Sequence, residues 1–223
     1  MKWRKGIRMS ERKRMVSGKM FTSVGDEELS QLSHLNRKKM QEFNRSNREE
    51  YYLRDKIMRE VFGTVGDNSM VEQPVQIDYG AHIHIGDNFY ANFDWIFYAN
   101  FACIFMDAAE IRIGNDVMIG PRVSLLTASH PIGAKARRSG LEYALPITIE
   151  DDVWIGGNTT ILPGVTIGKE SIIGAGSVVS GDIPAGVMAA GNPCRVLRRL
   201  TEDDDIYWDE KVREYNDEKN SIN

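Results

Sequence analysis

The sequence predicts a mainly β protein whose central part winds as a parallel β-helix of triangular section, with a helical segment before it and a short charged tail after it. Three observations carry this expectation. Apolar residues recur every six positions without a break at Ile149, Ile155, Ile161, Ile167, Ile173 and Val179. Neither a helix (3.6) nor a strand (2.0) has that period, whereas one wall of a three-sided coil does. Three of these six residues precede a glycine, at Gly156, Gly168 and Gly174, where a small residue permits a tight corner. The same beat runs upstream through Ile113, Ile119 and Leu125, and the 36 residues from Ile113 to Ile149 keep both runs in one register.

The elements follow in order. Residues 1–9 form a basic extension with Lys2, Arg4, Lys5 and Arg8, expected to be a disordered, solvated tail. Residues 10–65 read as a helical cap. Asp26 is a candidate N-cap for a helix running towards Phe43. A second helix is expected from about Asn47, with Leu53, Ile57 and Val61 on one stripe and Gly63 as its stop. The coil occupies 66–200. It is interrupted at 126–146, where the six-beat is lost and Pro131, Gly133, Gly140 and several basic residues describe a loop thrown out from the wall. A second irregularity is a tandem octapeptide, Tyr90 to Phe97 and then Tyr98 to Phe105. Eight is not a multiple of six, so the second copy cannot continue the same wall in phase. Residues 201–223 are charged and read as a short helix or a frayed end.

Composition bounds the function. At 223 residues and 42% hydrophobic content, the chain has enough apolar material for a core. No apolar run approaches the roughly 18 residues of a membrane span. A formal charge of -4 argues against general nucleic-acid binding. Two cysteines, Cys103 and Cys194, offer neither a disulfide framework nor zinc-ligand spacing and fit a reducing cytoplasm.

Few residues can carry chemistry. His130 sits inside the extruded loop, beside the stiffening Pro131. An imidazole titrates near physiological pH and suits a general base, although a loop histidine is equally an ordinary surface residue. His82 and His84 stand two apart and with His130 make a three-histidine zinc site conceivable; packing on a coil wall is the plainer reading. Arg195 and Arg198 close the coil, where guanidinium forks suit phosphate oxygens. Trp154 either stacks on a ligand or covers the wall.

Together these features resemble the maltose and galactoside O-acetyltransferases of the hexapeptide-repeat superfamily. The resemblance rests on Met15 to Phe21, Ile85 to Phe93, Thr127-Ala128-Ser129-His130-Pro131, Val153-Trp154-Ile155-Gly156-Gly157 and Ala190 to Val196, and spans about residues 10–200. It implies a left-handed coil, an exception to the right-handed crossover rule, and a homotrimer with active sites between neighbouring coils. It also implies acetyl transfer from acetyl-CoA to a sugar hydroxyl with His130 as general base, and no metal. By the same resemblance Trp154, Gly157, Ala175, Ser180, Arg195 and Arg198 hold the cofactor, with the Gly157 N–H donating to the oxyanion. Asn100, Asn92, Tyr98, Asp107 and Glu142 face the acceptor. The acceptor asparagine occurs in both octapeptide copies, and Asn100, which keeps its distance to Met106 and Ile113, is favoured over Asn92. One position departs from the family: an arginine often stands seven residues after the Asp26 position, and here it is Ser33. Nearby alternatives are an acetyltransferase for antibiotics or serine, a zinc carbonic anhydrase on the same coil, or an inactive scaffold.

Overall fold

Every apolar residue of the six-beat enters the interior. Ile149, Ile155, Ile161, Ile167, Ile173 and Val179 are all buried, as are Ile113, Ile119 and Leu125. A computed structural model of the chain describes residues 9–47, 49–91 and 103–221. In it the coil has three walls of short parallel strands. The first wall stacks β1 (Thr64–Val65), β4 (Ile83–Ile85), β7 (Ile111–Ile113), β12 (Ile147–Ile149) and β15 (Thr166–Ile167). The second stacks β2 (Met70–Val71), β5 (Tyr90–Ala91), β8 (Met118–Ile119), β13 (Trp154–Ile155), β16 (Ile172–Ile173) and β18 (Val187–Ala190), closed by the antiparallel β19 (Arg195–Arg199). The third stacks β3 (Val75–Ile77), β6 (Cys103–Met106), β9 (Ser124–Leu126), β14 (Thr160–Ile161) and β17 (Val178–Val179). Identical positions stack on identical positions: Ile85 pairs with Ile113, Ile113 with Ile149, and Ile149 with Ile167. Each β-branched side chain therefore packs against its own counterpart one rung away, the arrangement that suits its stiff χ1.

The corners explain the asparagines and aspartates that punctuate the hexads. Asn68, Asn88, Asp116, Asp152 and Glu170 all have positive φ between 54° and 60°, a conformation that Asn and Asp tolerate best among non-glycine residues. The residues before them form a ladder. Asp87 Oδ1 accepts from Asp67 N at 2.7 Å, Asn115 Oδ1 from Asp87 N at 2.9 Å, and Asp151 Oδ1 from Asn115 N at 2.7 Å. Gly156 leaves no room for a side chain, because a Cβ there would lie 2.5 Å from Ala175 N in the next rung.

The octapeptide repeat lies largely outside the described residues, but its effect on register is visible. From the inward Ile119 to the inward Leu125 is six residues, whereas from Ala91 to Phe105 is fourteen. The surplus is eight, the length of the repeat, and strand pairing on either side is undisturbed: Ala91 still pairs with Ile119, and Phe105 with Leu125.

The cap contains α1 (Glu11–Val16), α2 (Glu27–Arg45) and α3 (Tyr51–Val61). Asp26 caps α2, its Oδ1 accepting from Leu29 N at 2.9 Å. The buried stripe Leu29, Asn36, Met40 and Phe43 turns α2 towards the coil. Asn36 Nδ2 donates to the carbonyls of Ile77 and Asp78, and the Asn44 side chain both donates to and accepts from the Val75 backbone. The cap is thereby fastened to β3. One expectation needs correction. The second helix begins at Tyr51 rather than near Asn47, since Glu50 N bonds to Asn47 O in a preceding turn. That helix ends at Val61 with Phe62 as its C-cap, just before Gly63; Gly63 then opens the coil by donating to Ile83 O, and a Cβ there would meet the His84 ring at 2.5 Å. The tail is a helix of 20 residues, α5 (Glu202–Ser221), exposed along its described length except at the half-buried Asp204. Among the described residues, no helix is long and apolar enough to cross a membrane.

A single inward side chain tests the stacked core. Ile155→Ala is expected to cost about 2–5 kcal/mol, because the cavity would be held open by rungs above and below. Urea unfolding followed by circular dichroism measures it.

Candidate active site

The site begins where the third wall stops. After Leu126 the chain leaves the coil as β10 (Ala128–Ser129), passes α4 (Ala134–Arg137) and returns as the antiparallel β11 (Tyr143–Ala144). The stem is fixed by the fully buried Thr127, whose Oγ1 donates to Met106 O and accepts from Ala109 N. Ala128 pairs with Ala144 and Ser129 with Tyr143, so the register sets His130 opposite Glu142. The cap then clasps the ribbon from outside. Phe21 and Glu142 exchange both backbone hydrogen bonds, at 3.0 and 2.8 Å, and Ser23 Oγ donates to Glu142 Oε1 at 2.8 Å.

These contacts enclose a cleft of about 580 Å³ between loop, cap and third wall. His130 and Glu142 line it together with Ser23, Ser33, Arg37, Asp78 and Tyr79. The His130 ring is exposed and makes no hydrogen bond within the described residues. Glu142 is therefore held by Ser23 rather than by the imidazole.

Asp107 does not face the cleft. Its carboxylate is fully buried beneath it, accepting from Tyr79 N at 2.8 Å and His82 N at 3.3 Å. Burial raises its pKa, opposed by those two N–H groups and by the His82 charge. Asp107 thus fixes the turn that carries Asp78 and Tyr79. Asp78 opens to the cleft, yet its pKa is raised to about 6, first by partial desolvation, then by the Asp107 charge, with Arg37 working the other way. Desolvation, and then Asp78, push Tyr79 up to about 12, so it enters the cleft as a neutral phenol.

Asn92, Tyr98 and Asn100 lie outside the described residues. The expected cofactor residues stand elsewhere on the coil. Trp154 points outward from the second wall and is 54% exposed, flanked by its ladder neighbours Met118 and Ile172. Gly157 and Ala175 occupy the corner between second and third walls, and the Gly157 N–H donates no hydrogen bond within the described residues. Ser180 follows β17, two rungs along from Leu126. Arg195 is exposed. Arg198 is engaged: its guanidinium grips Asp204 through two bonds of 2.6 and 2.7 Å, which holds that carboxyl far below the usual range. None of these six residues lines the His130 cleft.

The three histidines do not assemble a zinc site. His82 Nδ1 is bonded to Asp107 O at 2.7 Å, His84 sits against Thr64 on the first wall, and no group of three or more His, Cys, Asp or Glu among the described residues is placed to hold a metal. Sequence reasoning missed Ser23, Arg37, Asp78 and Tyr79. A signal for Arg37 was present, since it follows Ser33 by four residues on one helix face; its Nη2 lies 3.3 Å from Ser33 Oγ.

A triangular coil of hexads with a basic side chain on an extruded loop defines a hexapeptide-repeat transferase. Comparison with known proteins agrees. Residues 146–181 match the family described as bacterial transferase hexapeptide (six repeats), and residues 14–66 match the maltose acetyltransferase hexapeptide capping motif. The galactoside O-acetyltransferase of Escherichia coli K12 is 43% identical over 202 residues, covering 91% of this chain and 95% of that protein. Among solved structures, a maltose O-acetyltransferase from Clostridium difficile 630 superposes with a TM-score of 0.82 at 46% identity, over 87% of this chain and 99% of that one. A galactoside acetyltransferase in complex with coenzyme A gives 0.81 at 42% identity, over 89% and 94%. The chain belongs to the maltose and galactoside O-acetyltransferase family: it is an acyltransferase on a left-handed parallel β-helix.

Proposed function

We propose that this protein transfers the acetyl group of acetyl-CoA to a hydroxyl of a sugar or sugar-like acceptor, with His130 as the general base. The observation that carries this reading is the His130 cleft itself. An imidazole without a hydrogen bond among the described residues faces a space walled by serine hydroxyls, two carboxylates, a guanidinium and a phenol, groups complementary to a polyol. The acceptor oxygen attacks the thioester carbonyl as its proton passes to the ring nitrogen of His130. Collapse expels the CoA thiolate, which takes the proton back from the imidazolium. A thioester is already activated, so a base and correct placement suffice and no acyl-enzyme is needed. The Gly157 N–H, which donates no hydrogen bond within the described residues, is the proposed donor to the oxyanion. Trp154, Ala175, Ser180 and Arg195 would line the pantetheine and nucleotide path, with Arg198 joining only by releasing Asp204. Incubation with acetyl-CoA and an acceptor panel, read by released thiol, tests the activity. Acetylation of an amine or of serine in preference to sugars would overturn the acceptor class.

The separation of the two residue sets supports a further point. His130 and the cap contribute the acceptor half of a site, and the outer turns of the coil contribute the donor half. We infer that a neighbouring copy supplies the missing half, in a homotrimer. Cys103 and Cys194 are both buried and neither is in a disulfide, which suits a reducing compartment such as the cytoplasm.

The pKa of Asp78 yields a pH prediction. Raised from 3.8 to about 6, Asp78 is neutral below that pH and ionised above it. Only the ionised form accepts from sugar hydroxyls at both oxygens. Acceptor KM is therefore expected to fall as pH rises from 5 to 7 (about tenfold at most), and Asp78→Asn is expected to remove that trend. The neighbouring charges of Arg37, Asp107 and Glu142 move the midpoint without changing its sign. Steady-state KM against pH for both proteins measures it.

A further inference from the structure

His130 stands on a loop that the core does not hold. The His130 side chain and every residue from Ile132 to Gly140 are exposed, Ile132 at 95%, and α4 buries none of its side chains. Apolar packing therefore does not fix the imidazole. Its position depends on the backbone on either side.

Before His130 the backbone is secured by the ribbon, with Ser129 paired to Tyr143. At His130 itself the following Pro131 keeps the backbone out of the helical region. Beyond it, one residue does the holding. Arg137 reaches back from the end of α4, and its Nη1 donates to Pro131 O at 3.1 Å and to Ile132 O at 3.0 Å. Its backbone N–H donates to Gly133 O at 2.9 Å. Three successive carbonyls after His130 thus accept from a single residue. Among the described residues, the first two accept from no other donor. The two Nη1 protons serve one carbonyl each, and the guanidinium charge strengthens both bonds. Arg138, next in sequence, contributes only its backbone N–H to the helix end. Arg137 does not line the His130 cleft, so it is placed to act on the imidazole through the backbone.

We propose that Arg137 is a positioning residue for acetyl transfer: its guanidinium staples the turn behind His130 and so sets where the imidazole stands. A base has to meet the acceptor hydroxyl within about 2.6–3.2 Å, and a misplacement of ~1 Å costs about 10²-fold in rate. Loss of the staple therefore falls on kcat, while the acceptor and donor surfaces are left intact. This inference rests on the acetyltransferase reading above.

The test uses the full-length protein with acetyl-CoA, a sugar acceptor and a thiol readout. Arg137→Ala is expected to lower kcat by about 10–10²-fold, with both KM values within about threefold of the wild type. Arg137→Lys should recover part of the loss, since an ammonium offers donors without the fixed fork. Methylguanidinium added to Arg137→Ala should also recover part of it, and should not accelerate the wild type. Arg138→Ala removes the neighbouring charge without the staple and should keep kcat within about twofold. Hydrogen exchange over residues 130–138 should quicken in Arg137→Ala while the coil amides stay as they were, a readout independent of turnover. If the alanine variant lacks a cooperative melting transition, Arg137→Gln is read in its place. Wild-type kcat in the Arg137 variant overturns the proposal. So does a loss confined to KM, an equal loss in Arg138→Ala, or loop exchange that does not change. A wild type that releases no thiol with any hydroxylated acceptor removes the acetyltransferase reading and this inference with it; turnover that survives loss of the Arg137 side chain removes only this inference.

Discussion

Replacing His130 with alanine is expected to lower kcat by about 10²–10⁴-fold with every acceptor, the usual contribution of a positioned base. The expectation is specific because the change is structurally mild. The ring is exposed and unbonded within the described residues, while the loop is held from below by Thr127 and from outside by the Phe21–Glu142 backbone bridge. The melting transition and CoA binding by calorimetry should therefore match the wild type, which separates lost chemistry from lost structure. Ground-state binding of a sugar does not need the base, so acceptor KM should move little. A His130→Ala protein with wild-type kcat would remove the imidazole from the reaction and leave the cleft as a binding site only.

The second large effect concerns two proteins that are each inactive alone. Ala175 is exposed on a corner where a larger side chain has outward room, so Ala175→Trp is expected to block the donor path without disturbing the coil. His130→Ala lacks the base but keeps that path. If each site takes its base from one copy and its donor wall from the next, unfolding and refolding an equal mixture should create some interfaces carrying both intact halves. Random assortment would restore about one quarter of wild-type activity. Sedimentation of the mixture establishes that the copies have exchanged. Complete assortment with no recovered turnover would mean that each chain builds its whole site alone.

Legibility differed sharply between coil and site. The coil could be read because each inward position is dictated by its own hexad and repeats one rung later, so a local pattern is also the global one. The N-cap at Asp26 was equally local. The acceptor cleft was not. It depends on Phe21 meeting Glu142 across 121 residues of sequence, and on the antiparallel return of β11, which no periodicity announces. Asp107 looked like a ligand-facing carboxylate, and only three-dimensional packing shows it buried under Tyr79 and His82. Arg198 looked available for phosphate until α5, longer than its charge pattern suggested, brought Asp204 against it.

The fourteen-residue step from Ala91 to Phe105 has a wider meaning. Strands before and after it keep their partners, so this scaffold measures its progress in turns completed, and a corner can absorb extra chain while the floors above and below stay level. Loop closure grows more costly only slowly with length, which makes such corners inexpensive places to lodge new segments. One corner already carries the histidine loop. The eight surplus residues between Ala91 and Phe105 are a second such insertion in the sequence, accepted while the strand pairing that frames the catalytic loop is left untouched.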